Sequence, residues 1–458
     1  MKSKAKEIHL QETKKLQQIL KQKKEQLSIK KDSISNTLRN GDYKKEGCQL
    51  NLSSFNKILE FNQHEAWIVV EPKITFANLC TFTLGFGLVP PVVPEFTSIT
   101  VGGAVMGGAI ESSSHRYGQV NDNCLEYTLL LGNGELVLAS PYENSDLFYA
   151  VSGSYGTLAI LTAVKLRLIA AKKWVRLTYH RFHDVHKAIE ILTTPHKADF
   201  VEGIIYNFSE AVVISGQMSE YAPGKLHRQN RPWSPWYAQH VHVTKNREEY
   251  MTTKEYLFRY DRGAFWMGRY VRSFRAMIRL LFHLGIPKIK QQSLNPVLIF
   301  RLLFGWAFSS KKLYRIWHNV PRHISENLFF IHDFYTPSLR ADDVIHRFME
   351  LTGIFPIWLC PIKGTQTPQF LSPHFGGSNF LNIGLYGIPQ TNLPIPQLSA
   401  QLEKELISYG GRKMLYSFTY YDRESFSKIY SETKYNELRK TFFAEKAFPS
   451  LYNKVLAN

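Results

Sequence analysis

The chain has 458 residues, 44% of them hydrophobic, a formal charge of +18 and a pI near 9.5. That length suffices for two substantial domains. The basic balance asks for an anionic surface or ligand, but the basic residues are dispersed and form no nucleic-acid module, which excludes a nucleic-acid partner.

Residues 1–31 are lysine-rich, with leucines at 10, 16, 20 and 27. They predict a basic helix, either solvated or laid on an anionic membrane. Neither a signal-peptide core nor a run of about 20 apolar residues is found. The expectation is therefore a cytoplasmic protein whose membrane contact, if any, is peripheral. Trp67–Pro72 (WIVVEP) has the pattern of a short buried strand. Ile74–Leu84 has helical spacing of Phe76, Leu79, Cys80 and Leu84, and Gly85-Phe86-Gly87-Leu88 ends that helix. Val89–Pro94 (VPPVVP) is held extended by its prolines.

The most informative stretch is residues 100–118, TVGGAVMGGAIESSSHRYG. Its glycine pairs let backbone amides approach a large anion closely, and successive N–H groups make a concavity that suits a pyrophosphate. Its spacing is neither the G-x-G-x-x-G of a Rossmann fold nor a G-K-[ST] phosphate loop. Cys124–Leu131 and Glu135–Ala139 follow as strands, joined at Gly132-Asn133-Gly134 by a hairpin turn. A second glycine cluster spans Gly153 to Gly156, and Leu158–Ile169 is a further strand.

This succession resembles a flavin-binding domain of the vanillyl-alcohol-oxidase/PCMH type. Such domains carry a VEP-like strand, a GL-x-P-x-x-P segment, TVGG, a small-residue loop, a YG and a D-L-F-x-A-x-x-G-x-x-G-x-L tail. IESSSHRYG at 110–118 and SPYENSDLFYAVSGSYGTLAIL at 140–161 narrow the resemblance to the Delta24-sterol reductase family (24-dehydrocholesterol reductase and diminuto-like proteins). The likeness continues through GDYKK at 41–45, VEGIIY at 201–206, LFGW at 303–306, FPIWLCP at 355–361, NIGLYG at 382–387, MLYSFTYYDRESF at 414–426 and AFPSLY at 447–452. It departs from the family at residues 32–40, which lack an Arg-Pro-Gly-Trp-like segment, and at Tyr256–Gly268. It also departs at Asn382, where members often carry an acid, and at Phe418, where many have Asp.

The resemblance implies an α+β protein: a basic N-terminal helix over 1–31, an FAD-binding domain over 32–172 and an α+β substrate cap over 173–458. It implies non-covalent FAD, with NADPH as electron donor and a sterol-like lipid as substrate. The stretch Thr100, Val101, Gly102, Gly103, Ala104, Val105, Met106, Gly107, Gly108, Ala109, Ile110, Glu111 and Ser112 is the implied FAD contact, joined by Gly153, Gly156 and Ile160. Animal and plant members begin with a membrane segment, which is not read here.

An isolated alkene is not an electrophile, so its reduction demands an acid, a dry cavity and aromatic faces for cationic charge. His115 is one candidate, with orientation of the loop as its structural alternative. Tyr416 and Tyr420, two positions of one alternating strand face, are the others, with core packing as theirs. Glu111 suits a structural hydrogen-bonding role, Arg116 and Tyr117 flank the loop, and Asn382 and Tyr386 are cap candidates. The amphipathic Arg269–Leu284 and apolar Val297–Phe308 are candidate membrane contacts. The 16 histidines show no H-E-x-x-H spacing, so no metal is expected. The four cysteines form no C-x-x-C pair and read as reduced thiols. Two other functions fit the same residues: an FAD-dependent oxidase or dehydrogenase of a hydroxy compound, and a non-catalytic flavin-binding membrane-associated protein.

Overall fold

The computed structural model describes residues 2–23, 25–30, 35–38, 48–229, 231, 234–262, 309–367, 369–374 and 376–456. The GDYKK motif, Arg269–Leu284, Val297–Phe308 with its LFGW, and parts of 32–40 and 256–268 lie outside the described residues.

The N-terminal segment forms a helix over Lys2–Gln22. One of its faces is neither solvated nor open to a membrane. Leu16 and Leu20 are buried with Leu27, Leu50, Phe55, Leu130 and Phe448. Burial of each such leucine is worth roughly 1.5–3 kcal/mol. His9 Nδ1 lies 2.8 Å from Glu71, and Gln17 donates to the Gly134 carbonyl at 3.0 Å. The lysines keep to the outer face of a helix that is docked as part of the fold.

Five strands form an antiparallel sheet in the order Ile58–Asn62, Trp67–Val70, Ile160–Arg167, Cys124–Leu130 and Leu136–Ala139. The WIVV strand and the hairpin around Gly132–Gly134 stand where their patterns predict. The helix predicted over Ile74–Leu84 runs from Phe76 to Leu84, with the Thr75 hydroxyl accepting from the Asn78 N–H as its cap. The glycine stretch differs from expectation. Val101–Gly107 is a short helix, not a loop, with Thr100 capping its start through the Gly103 N–H. Gly108 ends it at φ 67°, a left-handed position where glycine escapes the Cβ clash.

The cap is built on an eight-stranded sheet. Its order is Glu248–Thr252, Trp174–Phe182, Glu210–Ser219, Phe200–Asn207, Ile357–Ile362, Phe380–Gly387, Phe330–Pro337 and Arg412–Lys413, antiparallel throughout. Side chains alternate across a strand, so each strand serves two layers. Val201, Ile205, Leu359, Ile383, Phe330 and Phe334 pack in one core with Leu192, Phe348 and Leu402 of the helices Val185–Thr193, Ala341–Thr352 and Ile395–Ser408. The intervening Ile204, Trp358, Cys360 and Tyr335 join the core shared with the smaller sheet. The sheet thus shows one face to its own helices and the other to the glycine helix.

The C-terminal segment packs away from the cap. Tyr435 donates to Thr157 at 2.7 Å, Arg439 donates to the Thr157 carbonyl at 2.7 Å, and the Leu27 N–H reaches Ala447 O at 2.7 Å. Residues 432–456 therefore pack on the five-stranded side, beside the N-terminal helix. The strand expected over Met414–Asp422 is also not formed. Pairing stops at Lys413, and the backbone turns at Leu415–Ser417.

Candidate active site

The glycine helix is seated by close contact. A Cβ on Gly102 would lie 2.6 Å from Pro72 Cβ, so only glycine lets the helix reach that backbone. Its N–H donates to the Pro72 carbonyl at 2.8 Å. The other face of the helix lines a cavity of about 320 Å³. That is within the range of roughly 300–1,000 Å³ that small-molecule sites hold.

The lining of the cavity is of two kinds. Thr100, Gly102, Gly103, Ala104 and Gly107 present small side chains and backbone, and Lys73, Lys454 and the polar Ser35-Asn36-Thr37 line it too. Aromatic residues make up the rest: Tyr155, Tyr260, Tyr314, Trp358, Tyr386 and Tyr416. The lysines suit the charge of a phosphate, the small residues of the helix let a large group approach closely, and the aromatic residues suit an apolar ring system. The Gly102 and Gly103 N–H groups are already spent on Pro72 and Thr100.

Two carboxyl groups lie in the aromatic part, Glu95 and Asp333. Asp333 is buried on strand Phe330–Pro337, on the face away from the helices. It accepts from Asn382 Nδ2 at 2.7 Å, Tyr386 Oη at 2.7 Å and Tyr416 Oη at 2.8 Å. Burial pushes its carboxyl up, and the three donors pull it back. Glu95 follows the proline run, and burial, with the Glu111 and Asp333 carboxylates, pushes it up to about 8.

A second acidic centre locks the glycine segment to the cap. Arg259, fully buried, donates to Glu111 Oε1 at 2.9 Å and to both Glu202 oxygens at 3.0 and 2.7 Å. Tyr260 Oη and Trp358 Nε1 also donate to Glu202, at 3.0 and 2.9 Å. Burial opposes the guanidinium charge, but Glu111 and Glu202 outweigh it and hold Arg259 well above its ordinary range. The Tyr256 and Tyr260 rings stand 4.3 and 4.7 Å from the guanidinium carbon, within cation–π range.

Residues 10–140 match the family model described as an FAD binding domain, a match that starts inside the docked N-terminal helix. The human Delta(24)-sterol reductase is 33% identical over 431 residues, which cover 92% of this chain and 80% of that protein. The Arabidopsis thaliana Delta(24)-sterol reductase is 30% identical, covering 93% of this chain and 80% of its own length. The chain belongs to the Delta(24)-sterol reductase family. Cytokinin dehydrogenase 3 of Arabidopsis thaliana, 30% identical, covers only 35% of this chain. The likeness to the reductases, unlike this one, runs through both the flavin side and the cap. FAD is the cofactor of this reductase-family protein, and a cavity lined by the glycine helix and two lysines fits that group.

In this family member the predicted FAD residues divide. Thr100, Gly102, Gly103, Ala104, Met106, Gly107, Ala109 and Ile110 line the cavity. Val101 and Val105 lie on the opposite face of the same short helix, in the core. Gly108 packs on Gln119. Glu111 is committed to Arg259 and, with Ser112, to the interdomain lock. The Gly153 N–H is spent on the Met106 carbonyl, while Gly156 abuts Ile29 and Met106. Ile160 faces the core under the N-terminal helix, and the alternation of the strand gives the cavity Leu161 instead.

The proton-donor candidates divide as well. His115 does not line the cavity. Its Nδ1 lies 3.0 Å from Ser112 O and its Nε2 2.9 Å from Ala198 O, and burial lowers its pKa. It ties the loop to the cap. Arg116 pairs with Asp199 at 3.0 Å at the surface. Tyr416 is in the cavity, but its hydroxyl is given to Asp333 and burial holds it well above the ordinary tyrosine range. Tyr420 lies outside the cavity; its backbone N–H donates to Glu403 at 2.9 Å, and its hydroxyl finds no partner among the described residues. Asn382 and Tyr386 do converge, on Asp333. Sequence reasoning missed Glu95, Asp333, Tyr260 and Tyr314, which no motif marks.

No histidine or cysteine is among the described residues lining the cavity, and those are the side chains that bond flavin covalently elsewhere in the superfamily. Cys80, Cys124 and Cys360 are free and buried, and burial pushes Cys124 up to about 12. One trio, His227, His240 and Glu249, has metal-compatible spacing. Glu249 is already engaged there by His240 at 2.6 Å, by Thr244 and by Asn246. Among the described residues no helix is long and apolar enough to cross a membrane.

Proposed function

We propose that the protein reduces a carbon–carbon double bond in the tail of a sterol-like lipid, with NADPH as the source of electrons. The observation that carries this reading is the cavity itself, whose lining brings together the glycine helix, aromatic rings and two carboxyl groups. FAD, when bound, supplies a hydride equivalent. The glycine helix would let it approach closely, with Lys73 and Lys454 countering the charge of its phosphates. Tyr260, Tyr314, Trp358 and Tyr386 would exclude water and face the sterol with their rings. Asp333, fixed by Asn382, Tyr386 and Tyr416, sets a negative charge where cationic character develops on the alkene.

Residues 32–172 would form the FAD unit and residues 173–431 the cap, with the N-terminal helix and 432–456 sealing the FAD side. A bilayer-derived substrate favours peripheral attachment to an anionic membrane, which co-sedimentation with anionic liposomes at low salt tests. Oxidation of a hydroxy compound is disfavoured, since His115, the base it would use, is turned to backbone carbonyls outside the cavity lining.

The function is tested anaerobically. The purified yellow protein should bleach on addition of NADPH and regain its colour when a sterol with a 24,25 double bond is added. A protein that cannot bind FAD, or that is bleached and not reoxidised by sterol, overturns the proposal. Flavin bound with no turnover would support the non-catalytic alternative.

A further inference from the structure

We infer that Glu95 is the catalytic acid that protonates the alkene, in the chamber where Asp333 is the fixed anion; this rests on the sterol-reductase reading. The first support is a contrast among carboxyl groups. Glu71 meets His9 and lies 3.7 Å from Lys57, while Glu111 and Glu202 share Arg259. Glu249 meets His240, and Glu403 meets Lys413. Each of these is buried and has a basic partner. Glu95 lines the cavity, and its one hydrogen bond among the described residues is to its own backbone. Its carboxyl is left to face whatever enters.

The second support is position. Glu95 follows Pro94 and is fixed from the next residues on. Thr97 N–H and Oγ1 both donate to Asp261 at 2.9 Å, and the Ser310 hydroxyl donates to the same carboxylate at 2.6 Å. Phe96 and Ile99 line the cavity on either side of that anchor, and the Phe96 ring stacks edge-on to Tyr314 at 6.2 Å. Glu95 is thus held in the chamber by backbone stiffness and a neighbouring clamp.

The third is charge. Burial acts most strongly, then the Glu111 and Asp333 carboxylates raise Glu95 further, against Arg259 and its own N–H. Tyr314, Tyr386 and Tyr416 face the same group as neutral phenols, each pushed up by burial first. The carboxyl is pushed up to about 8, so it holds its proton at neutral pH. Asp333 differs in accepting three hydrogen bonds, which favour its ionised form.

The step balances. The Glu95 O–H bond breaks, and the alkene π pair forms the new C–H bond at one carbon. The other carbon, left electron-deficient, would take up a hydride equivalent with its two electrons, which NADPH, oxidised in turn, ultimately supplies. The substrate gains two hydrogens, and the Glu95 carboxylate takes a proton back from water. Because the acid form is the active one, turnover is full below pH 8 and falls as pH rises through about 8, tenfold per unit above it.

The test uses the FAD-loaded full-length protein, wild type against Glu95→Gln and Glu95→Asp. Expected for Glu95→Gln is unchanged flavin content and unchanged bleaching by NADPH, with sterol-driven reoxidation slowed roughly 10²–10⁴-fold. Glu95→Asp should recover part of that rate with a displaced pH profile. Infrared difference spectra of the protein without sterol should show a protonated carboxyl band that titrates near pH 8 and vanishes in Glu95→Gln. Reoxidation of Glu95→Gln within threefold of wild type, or an ionised Glu95 at pH 7, overturns the assignment and leaves the reductase reading standing. A wild-type protein that NADPH bleaches and no sterol reoxidises overturns that reading, and this proposal with it.

Discussion

Two acidic centres lie close together in this molecule and are handled in opposite ways. Glu111 and Glu202 converge on a buried guanidinium and are further tied by Ser112, Tyr260 and Trp358. Glu95 and Asp333 share a chamber with tyrosines and have no ion pair among the described residues. The first arrangement spends its charge on joining the glycine segment to the cap. The second keeps one carboxyl neutral and the other oriented. The same residue type is a fastener where a cation meets it and an acid where none does.

The sharpest way to break this contrast is to remove the cation. Arg259→Met leaves Glu111 and Glu202 buried without their partner, and should cost about 3–5 kcal/mol. Thermal denaturation would show it, and an unchanged midpoint would mean that the pair is not the fastener described. Gly102→Ala comes next. The new Cβ meets Pro72, so the helix must shift, at about 1–3 kcal/mol and with clear loss of FAD affinity in a flavin titration. Tyr416→Phe removes one of three donors to Asp333. A hydrogen bond to a charged group is worth about 1.5–3 kcal/mol, which predicts sterol-dependent turnover down roughly 10–100-fold with flavin content intact. The smallest effect is expected at His115. His115→Asn should cost about 1 kcal/mol of stability and leave turnover within roughly threefold, as befits a side chain set between two backbone carbonyls, one of which its N–H bonds. A large fall in rate with normal stability would return His115 to the catalytic group.

Much of the flavin side is legible in the residues. WIVVEP, the proline run, the glycine stretch and the hairpin are local patterns, and local sterics and hydrogen bonding decide them. A loop is the wrong expectation for Val101–Gly107, since a Thr100 cap and contact with Pro72 outweigh the poor helix propensity of glycine. Ile160 misses the cavity by one residue, enough to reverse the face of a strand. On the cap side, alternation puts Tyr416 and Tyr420 on one strand face, but the turn at Leu415–Ser417 separates them. The Tyr416 hydroxyl then goes to Asp333, and Tyr420 leaves the cavity.

By itself the sequence determined the cofactor segment, the order of most strands along the backbone and the family, because these rest on residue type and short-range spacing. Only the tertiary structure decided which carboxyl groups are neutralised and which face the cavity. Glu95 and Asp333 are 238 positions apart in the sequence. Their meeting depends on a proline-stiffened segment of the flavin side and a strand of the eight-stranded sheet, and the environment that makes an acid of one carboxyl and an anchor of another exists only once the two sides are packed.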